Sequence, residues 1–204
     1  MKRKHFVYLL PLLIILASCP EQSGVIDIVT IDWEPDGQGF IQFYTNDEQD
    51  YGYYFIHIPS GASEATMTTA EVEVKKISGA SSAGFGIIFC GTNIDNFYKL
   101  LISLNGNYRM SKKVSGLYTD LIPWSSSGGS LNASYGVVNK IKVQFDGTDT
   151  FSIFFNDVFV DSVVDTSFSG GDSGYYAYVS DDNESFPDTP VDVRFRMLQP
   201  VIDP

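Results

Sequence analysis

The stretch Gly84–Val114, GFGIIFCGTNIDNFYKLLISLNGNYRMSKKV, decides the fold of this chain. Two runs within it, Gly84–Cys90 and Asn96–Leu104, are rich in Phe, Ile, Tyr and Leu. The segments Asn93–Asn96 and Asn105–Asn107 supply the short polar residues and the glycine that tight reversals need. The pattern predicts three strands joined as an antiparallel meander.

The middle strand of this meander has one wholly apolar side and one mixed side. The apolar side consists of Tyr98, Leu100, Ile102 and Leu104, and the mixed side of Phe97, Lys99, Leu101 and Ser103. Successive side chains of a strand point to opposite faces, so the apolar side is expected to pack in a core. The mixed side is then the one that a ligand could contact.

Alternation with a period of two continues through the rest of the chain. A second meander is predicted over Asn139–Asp165, and the longest irregular stretch, Ser115–Tyr135, is predicted to be a loop. Further strands are predicted at Val25–Trp33, Gly39–Tyr44, Ala70–Ile77, Tyr175–Ser180 and Val191–Leu198. Helical spacing does not extend beyond two turns after residue 18, so the pattern indicates an all-β sandwich or a closed barrel.

Residues 1–18 have the features of a secretory leader. Lys2, Arg3 and Lys4 precede an apolar run from Phe6 to Ala17, which is the arrangement of a signal peptide. Because this run is shorter than the roughly 20 residues of a spanning helix and contains Pro11, we expect it to be removed rather than to remain in the membrane.

The leader ends in the tetrapeptide Leu16-Ala17-Ser18-Cys19, which resembles the bacterial lipobox. The resemblance implies cleavage before Cys19 and attachment of two or three acyl chains, such as palmitate, to that residue. At about 0.8 kcal/mol per buried methylene, these chains would anchor the protein permanently in the bacterial cell envelope, on its periplasmic or cell-surface side. The alternative is an ordinary secretory signal with Cys19 as a leftover thiol. The implied organisation is a leader at 1–18, a lipidated residue and tether at 19–24, and one domain at 25–204.

The charge of the chain narrows its possible partners. The formal net charge is −12, and removal of the three basic leader residues leaves 10 basic and 25 acidic residues, a net −15. A surface this acidic repels nucleic acid and anionic lipid headgroups. We therefore exclude a nucleic-acid partner and expect membrane contact through the N-terminal lipid only.

The cysteines indicate that the exported domain folds without a disulfide. Lipidation of Cys19 leaves Cys90 as the single thiol, so no internal pair can form. The mature part, 204 minus 18 or 186 residues, is long enough to bury one large core. Cys90 lies in an apolar strand, where a buried and unreactive thiol is expected.

Several short sequence segments follow one another in a characteristic order between about Ala70 and Leu198. They are GFGIIF with Asp95–Tyr98 after it, Gly106 with Tyr108–Lys112, Trp124, Asn139 before the strand KIKVQF, the hairpin Phe155–Val160, and Gly174-Tyr175. This order resembles the concanavalin A-like lectin/glucanase superfamily, in the branch with laminin G-like and 3-keto-disaccharide hydrolase domains, over roughly two thirds of the mature chain. The resemblance implies a two-sheet antiparallel jelly-roll β-sandwich whose concave face commonly binds glycans. Asp157 departs from the family's usual hairpin glycine at a small conformational cost.

The carboxylates do not form the catalytic motif of the glucanases in this superfamily. That motif, Glu-x-Asp-x-Glu, is most nearly approached at Glu34–Gly39, which lacks the second glutamate and contains turn residues. Glu71 and Glu73 share a strand face that we expect to be solvated. His57 is the single histidine after leader removal, so a nucleophile–histidine constellation is not available. The sequence therefore predicts no catalytic residues.

The acidic loop near the C-terminus is a candidate calcium site. The candidate ligands are Asp181, Asp182, Asn183 and Glu184, all with hard oxygen donors. Phe186 stands where a calcium loop has its glycine, and the alternative is a solvated acidic loop. No other cofactor is implied.

Aromatic side chains give the better case for function, because the apolar faces of sugar rings stack on Trp and Tyr. The candidate pairs are Trp124 with Tyr118, and Tyr51 with Tyr53. The alternative is that these rings cap the core. The sequence thus favours a noncatalytic domain that binds glycan or another envelope ligand. A glycoside-acting hydrolase and a structural or protein-interaction module of the envelope are the alternatives.

Overall fold

Alternating apolar residues build fourteen strands in the computed structural model, which describes residues 17–18, 33–50, 52–57, 69–180 and 190–198. The strands are β1 Ala17–Ser18, β2 Glu34–Pro35, β3 Ile41–Thr45, β4 Tyr53–His57, β5 Thr69–Ser78, β6 Phe85–Asn93, β7 Asn96–Ile102, β8 Asn107–Val114, β9 Leu117–Ser126, β10 Asn139–Phe145, β11 Thr150–Phe155, β12 Val158–Val164, β13 Asp172–Tyr178 and β14 Val191–Leu198. A single 3-10 turn, Glu48–Asp50, accompanies them in the described residues.

The strands form two seven-stranded sheets with antiparallel pairing throughout. The front sheet has the order β1-β4-β13-β6-β7-β8-β9, and the back sheet has the order β12-β11-β10-β5-β14-β3-β2. Consecutive strands are neighbours from β6 to β9 in the front sheet and, in the back sheet, from β2 to β3 and from β10 to β12, and the chain crosses between the sheets elsewhere, as in a jelly roll. The predicted two-sheet antiparallel jelly-roll β-sandwich is confirmed.

Both predicted meanders are present. β6, β7 and β8 are neighbours in the front sheet, with Leu100 opposite Ile87 on one side and Met110 on the other. β10, β11 and β12 are neighbours in the back sheet, with Val143 opposite Ile153. The hairpin turns therefore lie where the short polar residues indicated them.

The core lies between the sheets, as the period-two pattern requires. The apolar side of β7, with Tyr98, Leu100 and Ile102, is buried there. Val143 of β10 and Ile153 of β11 face it from the back sheet. At about 25 cal/mol per Å² of apolar area, this burial is the main stabilising contribution to the fold.

The prediction of a loop over Ser115–Tyr135 is wrong for its first half. Leu117–Ser126 forms β9, which pairs with β8 along the edge of the front sheet. The strand cannot be recognised from its sequence, because register shifts opposite Tyr108, Met110 and Ser111 break the period-two alternation. Pro123 is tolerated since an edge strand does not need every N–H donor.

The predicted leader, residues 1–18, and the predicted strand Val25–Trp33 lie almost wholly outside the described residues. Of the predicted strand Val25–Trp33 the structure describes Trp33, which is buried just before β2. β1 belongs to the predicted leader and pairs with β4, so cleavage before Cys19 would remove it from the front sheet. Within the described ranges, no helix is long and apolar enough to cross a membrane.

Candidate functional site: the concave face of the front sheet

The outer face of the front sheet is concave. Tyr54 on β4 and Tyr118 on β9 are five strand positions apart in the sheet, which would separate them by about 24 Å if the sheet were flat. Their ring centroids are 6.3 Å apart. The sheet must therefore curl so that its two edges approach each other over this face.

The floor of the concavity is apolar. Ile88, Leu101 and Tyr176 are buried on it, and with Phe97 and Tyr54 they belong to a cluster separate from the main core. The mixed side of β7 is thus buried as well. Aromatic side chains from the β9 edge cover it, so the face is less open than the pattern of β7 suggested.

Lys99 lies at the centre of this floor inside a cage of tyrosine rings. Its Nζ is 4.0 Å from the ring centroid of Tyr118 and 4.8 Å from that of Tyr176. The Tyr54 ring is farther away, at 6.0 Å. The side chain is 7% exposed, and such cation–π contacts are stronger when they are shielded from water.

Tyr118 covers the cage and keeps part of its ring in solvent. It is 38% exposed and meets the rings of Tyr54 and Phe97 edge-on. Burial raises the pKa of the Tyr118 hydroxyl, and the neighbouring Tyr176 and Tyr54 phenols add to the effect. The hydroxyl lies within hydrogen-bonding reach of the Tyr54 hydroxyl, and the residue remains partly exposed to a ligand.

Trp124 provides a second half-exposed ring at the other end of β9. It is 42% exposed, and its indole lies over Gly84 and beside Leu101. A Cβ placed at Gly84 would be 3.3 Å from Cη2 of Trp124 and 3.2 Å from Cδ1 of Leu101. The absence of a side chain at Gly84 is what lets the indole lie against the sheet.

A polar pair occupies β8 and β9 between the two rings. Arg109 donates from Nε and from Nη2 to Asp120 Oδ1, both at 2.7 Å. The Ser111 hydroxyl donates to the same oxygen at 2.8 Å. These bonds fix the planes of the guanidinium and the carboxylate, and they do not use Arg109 Nη1 or Asp120 Oδ2.

Lys113 closes the end of the concavity near Tyr118. Its Nζ donates to the carbonyl oxygen of Ile94 at 3.1 Å and lies 3.2 Å from Asp95 Oδ1. It also donates to the Tyr54 hydroxyl at 3.4 Å. Lys113 is buried, so its charge is held by these partners rather than presented to solvent.

The structure brings together two of the four predicted aromatic residues. Trp124 and Tyr118 both lie on the concave face, whereas Tyr53 packs against the main core. The remaining candidates are Tyr51, the calcium ligands Asp181, Asp182, Asn183 and Glu184, and the lipidation residue Cys19. All of these lie outside the described residues and stay predictions.

Sequence reasoning missed the other residues of the face. Tyr54 and Tyr176 come from strands distant in sequence from β9, and Arg109 and Asp120 meet only through the pairing of β8 with β9. A usable signal existed in the mixed side of β7. Extending its parity to the neighbouring strand would have placed Arg109 opposite Leu101 on the same face.

The carboxylates considered for catalysis lie away from the concave face. Asp36 Oδ1 accepts from the backbone N–H groups of Gln38 and Phe40, which is a turn-forming role. Glu71 and Glu73 are on the outer face of the back sheet and pair with Lys140 and Arg196. Each of these groups has a structural partner.

Cys90 is buried in β6. Its φ of 51° places it at the irregularity between Phe89 and Asn93. Burial raises the pKa of its thiol to about 12. The thiolate that a nucleophile requires is therefore strongly disfavoured at neutral pH, in line with the expected unreactive thiol.

Comparison with known proteins identifies the class of fold. A scan against protein-family models finds no match, and a search of the curated proteins finds none either. Solved structures do match, and they are all-β sandwiches of the jelly-roll type.

The chain is similar to the carbohydrate-binding module CBM66 from Bacillus subtilis, with a TM-score of 0.55 and 14% identity over 78% of this chain and 92% of that one. It also matches the GH43 protein BlXynB from Bacillus licheniformis, with a TM-score of 0.49, 13% identity and coverage of 81% and 35%. The galectin LEC-6 from Caenorhabditis elegans matches with a TM-score of 0.42, 10% identity and coverage of 75% and 99%. At this identity, the likeness to CBM66 shows the fold alone.

Proposed function

We propose that this chain is a lipid-anchored protein of the bacterial cell envelope whose jelly-roll domain binds carbohydrate on its concave face without transforming it. The observation that carries the proposal is the pair of half-exposed rings, Tyr118 and Trp124, with the Arg109–Asp120 pair between them. Aromatic rings that stack on sugars, together with a few fixed polar groups, are what a carbohydrate site requires.

The likeness to CBM66 supports the proposal. CBM66 is by its name a carbohydrate-binding module, and it shares this fold over most of both chains. The Arg109–Asp120 pair holds its donor and acceptor groups in place before a ligand arrives. Such preorganisation lowers the entropic cost of binding a flexible glycan.

The binding test is isothermal calorimetry with the full chain in detergent against a panel of soluble polysaccharides. Trp124→Ala and Tyr118→Ala are each expected to weaken binding about tenfold or more, because each removes one stacking ring. The matched control is Tyr44→Ala, which removes an equally exposed ring from β3 of the back sheet. Equal effects of all three substitutions, or none from the first two, would contradict the proposed site.

Absence of turnover is tested in the same samples. A reducing-sugar assay on every polysaccharide that binds is expected to show no release of product over hours. Measurable hydrolysis that survives further purification would instead favour a glycoside-acting hydrolase.

The anchor is tested separately from the ligand. Metabolic labelling with radioactive palmitate in a bacterial host is expected to label the chain, and Cys19→Ser is expected to abolish the label. Labelling that persists in the Cys19→Ser variant, or a wild-type chain that takes up no label, would reject the lipoprotein assignment.

A further inference from the structure

We propose that the ligand of the concave face is a neutral glycan chain several sugar units long, lying along β8 and β9 from Tyr118 to Trp124. This inference rests on the proposed carbohydrate-binding function and specifies the class of ligand. It follows from the spacing of the two rings and from the state of the charged groups around them.

The spacing of the rings sets the length of the ligand. Tyr118 and Trp124 lie on the same strand and on the same face of the sheet. The β8–β9 register places Tyr118 opposite Lys113 and Trp124 between the positions opposite Met110 and Tyr108. About four β8 residues, or about 13 Å at 3.3 Å per residue, therefore separate the two positions along the sheet. A single pyranose ring can stack on one of the two side chains but cannot reach both.

The polar pair stands between the rings in the same line. Asp120 lies opposite Ser111 in the β8–β9 register, two residues beyond Tyr118. The Arg109 guanidinium reaches Asp120 from β8 on the side of Trp124. A chain stacked on both rings would therefore pass over Arg109 Nη1 and Asp120 Oδ2, which can donate to and accept from its hydroxyl groups.

The basic groups of this face are already committed to partners within the protein. Arg109 is bound to Asp120, and Lys113 is bound to Asp95. Lys99 lies beneath the Tyr118 ring and is almost completely buried. A carboxylate or sulfate that approached Arg109 Nη1 would be repelled by the adjacent Asp120 carboxylate, whereas a hydroxyl group can bond to both.

The overall charge of the chain also disfavours an acidic glycan. The chain has a formal net charge of −12, so a polyanionic glycan is repelled at long range just as nucleic acid is. Stacking and neutral hydrogen bonds carry no such penalty. A neutral polysaccharide is therefore the ligand class that the face accommodates.

The experiment compares two sets of probes by calorimetry on the full chain in detergent. The neutral set contains a glucan, a mannan, a xylan and a fructan, and the acidic set contains polygalacturonate and alginate. We expect at least one neutral polymer to bind at least about tenfold more tightly than either acidic polymer. Its affinity should change less than about twofold between low and moderate salt, because no ion pair forms.

Oligosaccharides of increasing length, prepared from the polymer that binds, test the extended site. Affinity is expected to rise at least about tenfold between the monosaccharide and a chain long enough to reach both rings. Trp124→Ala and Tyr118→Ala should both weaken the long oligosaccharide, and only one of them should affect the monosaccharide. Tyr44→Ala should change neither.

The outcomes separate this inference from the function on which it rests. Tight, salt-sensitive binding of an acidic polymer, or saturation by a monosaccharide with full affinity, would overturn the inference and leave carbohydrate binding in place. Failure of every probe in both sets to bind would overturn the proposed function itself.

Discussion

Gly84 determines where the Trp124 indole can lie. The glycine precedes β6, and the indole comes from β9 and rests directly on it. No positive φ is required at Gly84, so its role is to provide space rather than backbone freedom. A substitution here changes the site without removing any group that would touch a ligand.

Gly84→Val is therefore expected to push the indole away from the sheet. A Cβ would lie 3.2 to 3.4 Å from atoms of Leu101 and Trp124, and the two methyl groups of valine require a larger displacement. We expect a several-fold loss of glycan affinity with at most about 1–3 kcal/mol lost in the free energy of unfolding. Calorimetry and urea unfolding measure the two quantities.

The control for this prediction is a double-mutant cycle. In a Trp124→Ala background, Gly84→Val should have no further effect on affinity, because the group that it displaces is gone. An undiminished effect in that background would show that Gly84 acts by another route.

His57 is a second residue whose role depends on its surroundings. Its ring lies against both Trp33, with centroids 5.1 Å apart, and Tyr175, with centroids 5.7 Å apart. Its Nδ1 is buried and has no hydrogen-bond partner among the described residues. Burial lowers the pKa of His57 from 6.5 to about 4, so the imidazole is neutral in the folded protein at physiological pH.

This burial predicts a loss of stability in mild acid. Between pH 6.5 and about 4 the unfolded chain binds a proton at His57 and the folded chain does not, so the free energy of unfolding falls as pH decreases through this window. The expected decrease in the free energy of unfolding is about 1–3 kcal/mol. His57→Phe keeps the stack and removes the titration, so urea unfolding should show a shallower acid dependence. Parallel pH profiles of wild type and variant would contradict the prediction.

At the scale of elements, the hairpin between β11 and β12 depends on its two turn residues. Asn156 and Asp157 have φ values of 50° and 67°, the signature of a type I′ turn. The Asn156 side chain accepts from the Lys140 N–H at 2.9 Å and donates to the carbonyl oxygen of Ser130 at 2.9 Å and to Asn139 Oδ1 at 3.1 Å. The turn is thereby tied to β10 and to the segment before it.

Asn156→Ala is expected to destabilise the protein by about 2–4 kcal/mol, because alanine disfavours positive φ and leaves three partners without their bonds. Asp157→Gly is the matched control at the next position. Glycine gains freedom at positive φ but loses an exposed ion pair to Lys140, at 2.7 Å, so the net change should stay within about 1 kcal/mol. Equal losses from both substitutions in urea unfolding would argue against the specific role of Asn156.

At the scale of the whole molecule, hydrogen bonds and an ion pair join the two sheets along the β12 edge of the back sheet. Asp165, just after β12 of the back sheet, accepts from the Tyr98 hydroxyl and from Lys112 Nζ of the front sheet, both at 2.6 Å. Burial opposes ionisation of this carboxyl, but the bonds from Lys112 and Tyr98 outweigh it and lower its pKa from 3.8 to about 2. A second hydrogen bond between the sheets runs from the Tyr108 hydroxyl to Asp161 Oδ2 at 2.8 Å.

Asp165→Asn is expected to cost about 2 kcal/mol of unfolding free energy at neutral pH. The lowered pKa means that the stabilisation is fully present above pH 3.8 and is lost as pH falls towards 2, so wild type and variant should converge in that range. Urea unfolding between pH 7 and pH 2 measures this, with Asp161→Asn as a control of smaller effect. If wild type and variant differed by the same free energy of unfolding at every pH, the charge of the Asp165 carboxylate would not be the source of the stabilisation.

The predictable part of the fold is the part encoded in local alternation. β5, β7, β10, β11 and β14 follow from parity alone, because each has one face in the core and a different chemistry on the other. β9 could not be predicted, since its alternation is interrupted where it bulges against β8. The same interruption made Trp124 and Tyr118 look like loop residues.

The sequence by itself determined that this chain forms strands, which of their faces meet in the core, and that two antiparallel sheets result. These follow from period-two patterning, in which a residue's face is set by its neighbours in the chain. Only the tertiary structure decided the shape of the outer face. Its curvature accumulates over six strands, and it brings Tyr54, Tyr118 and Tyr176 around Lys99 from positions up to 122 residues apart. Twist and coiling add up across a sheet rather than along a strand, so no single segment of the sequence contains them.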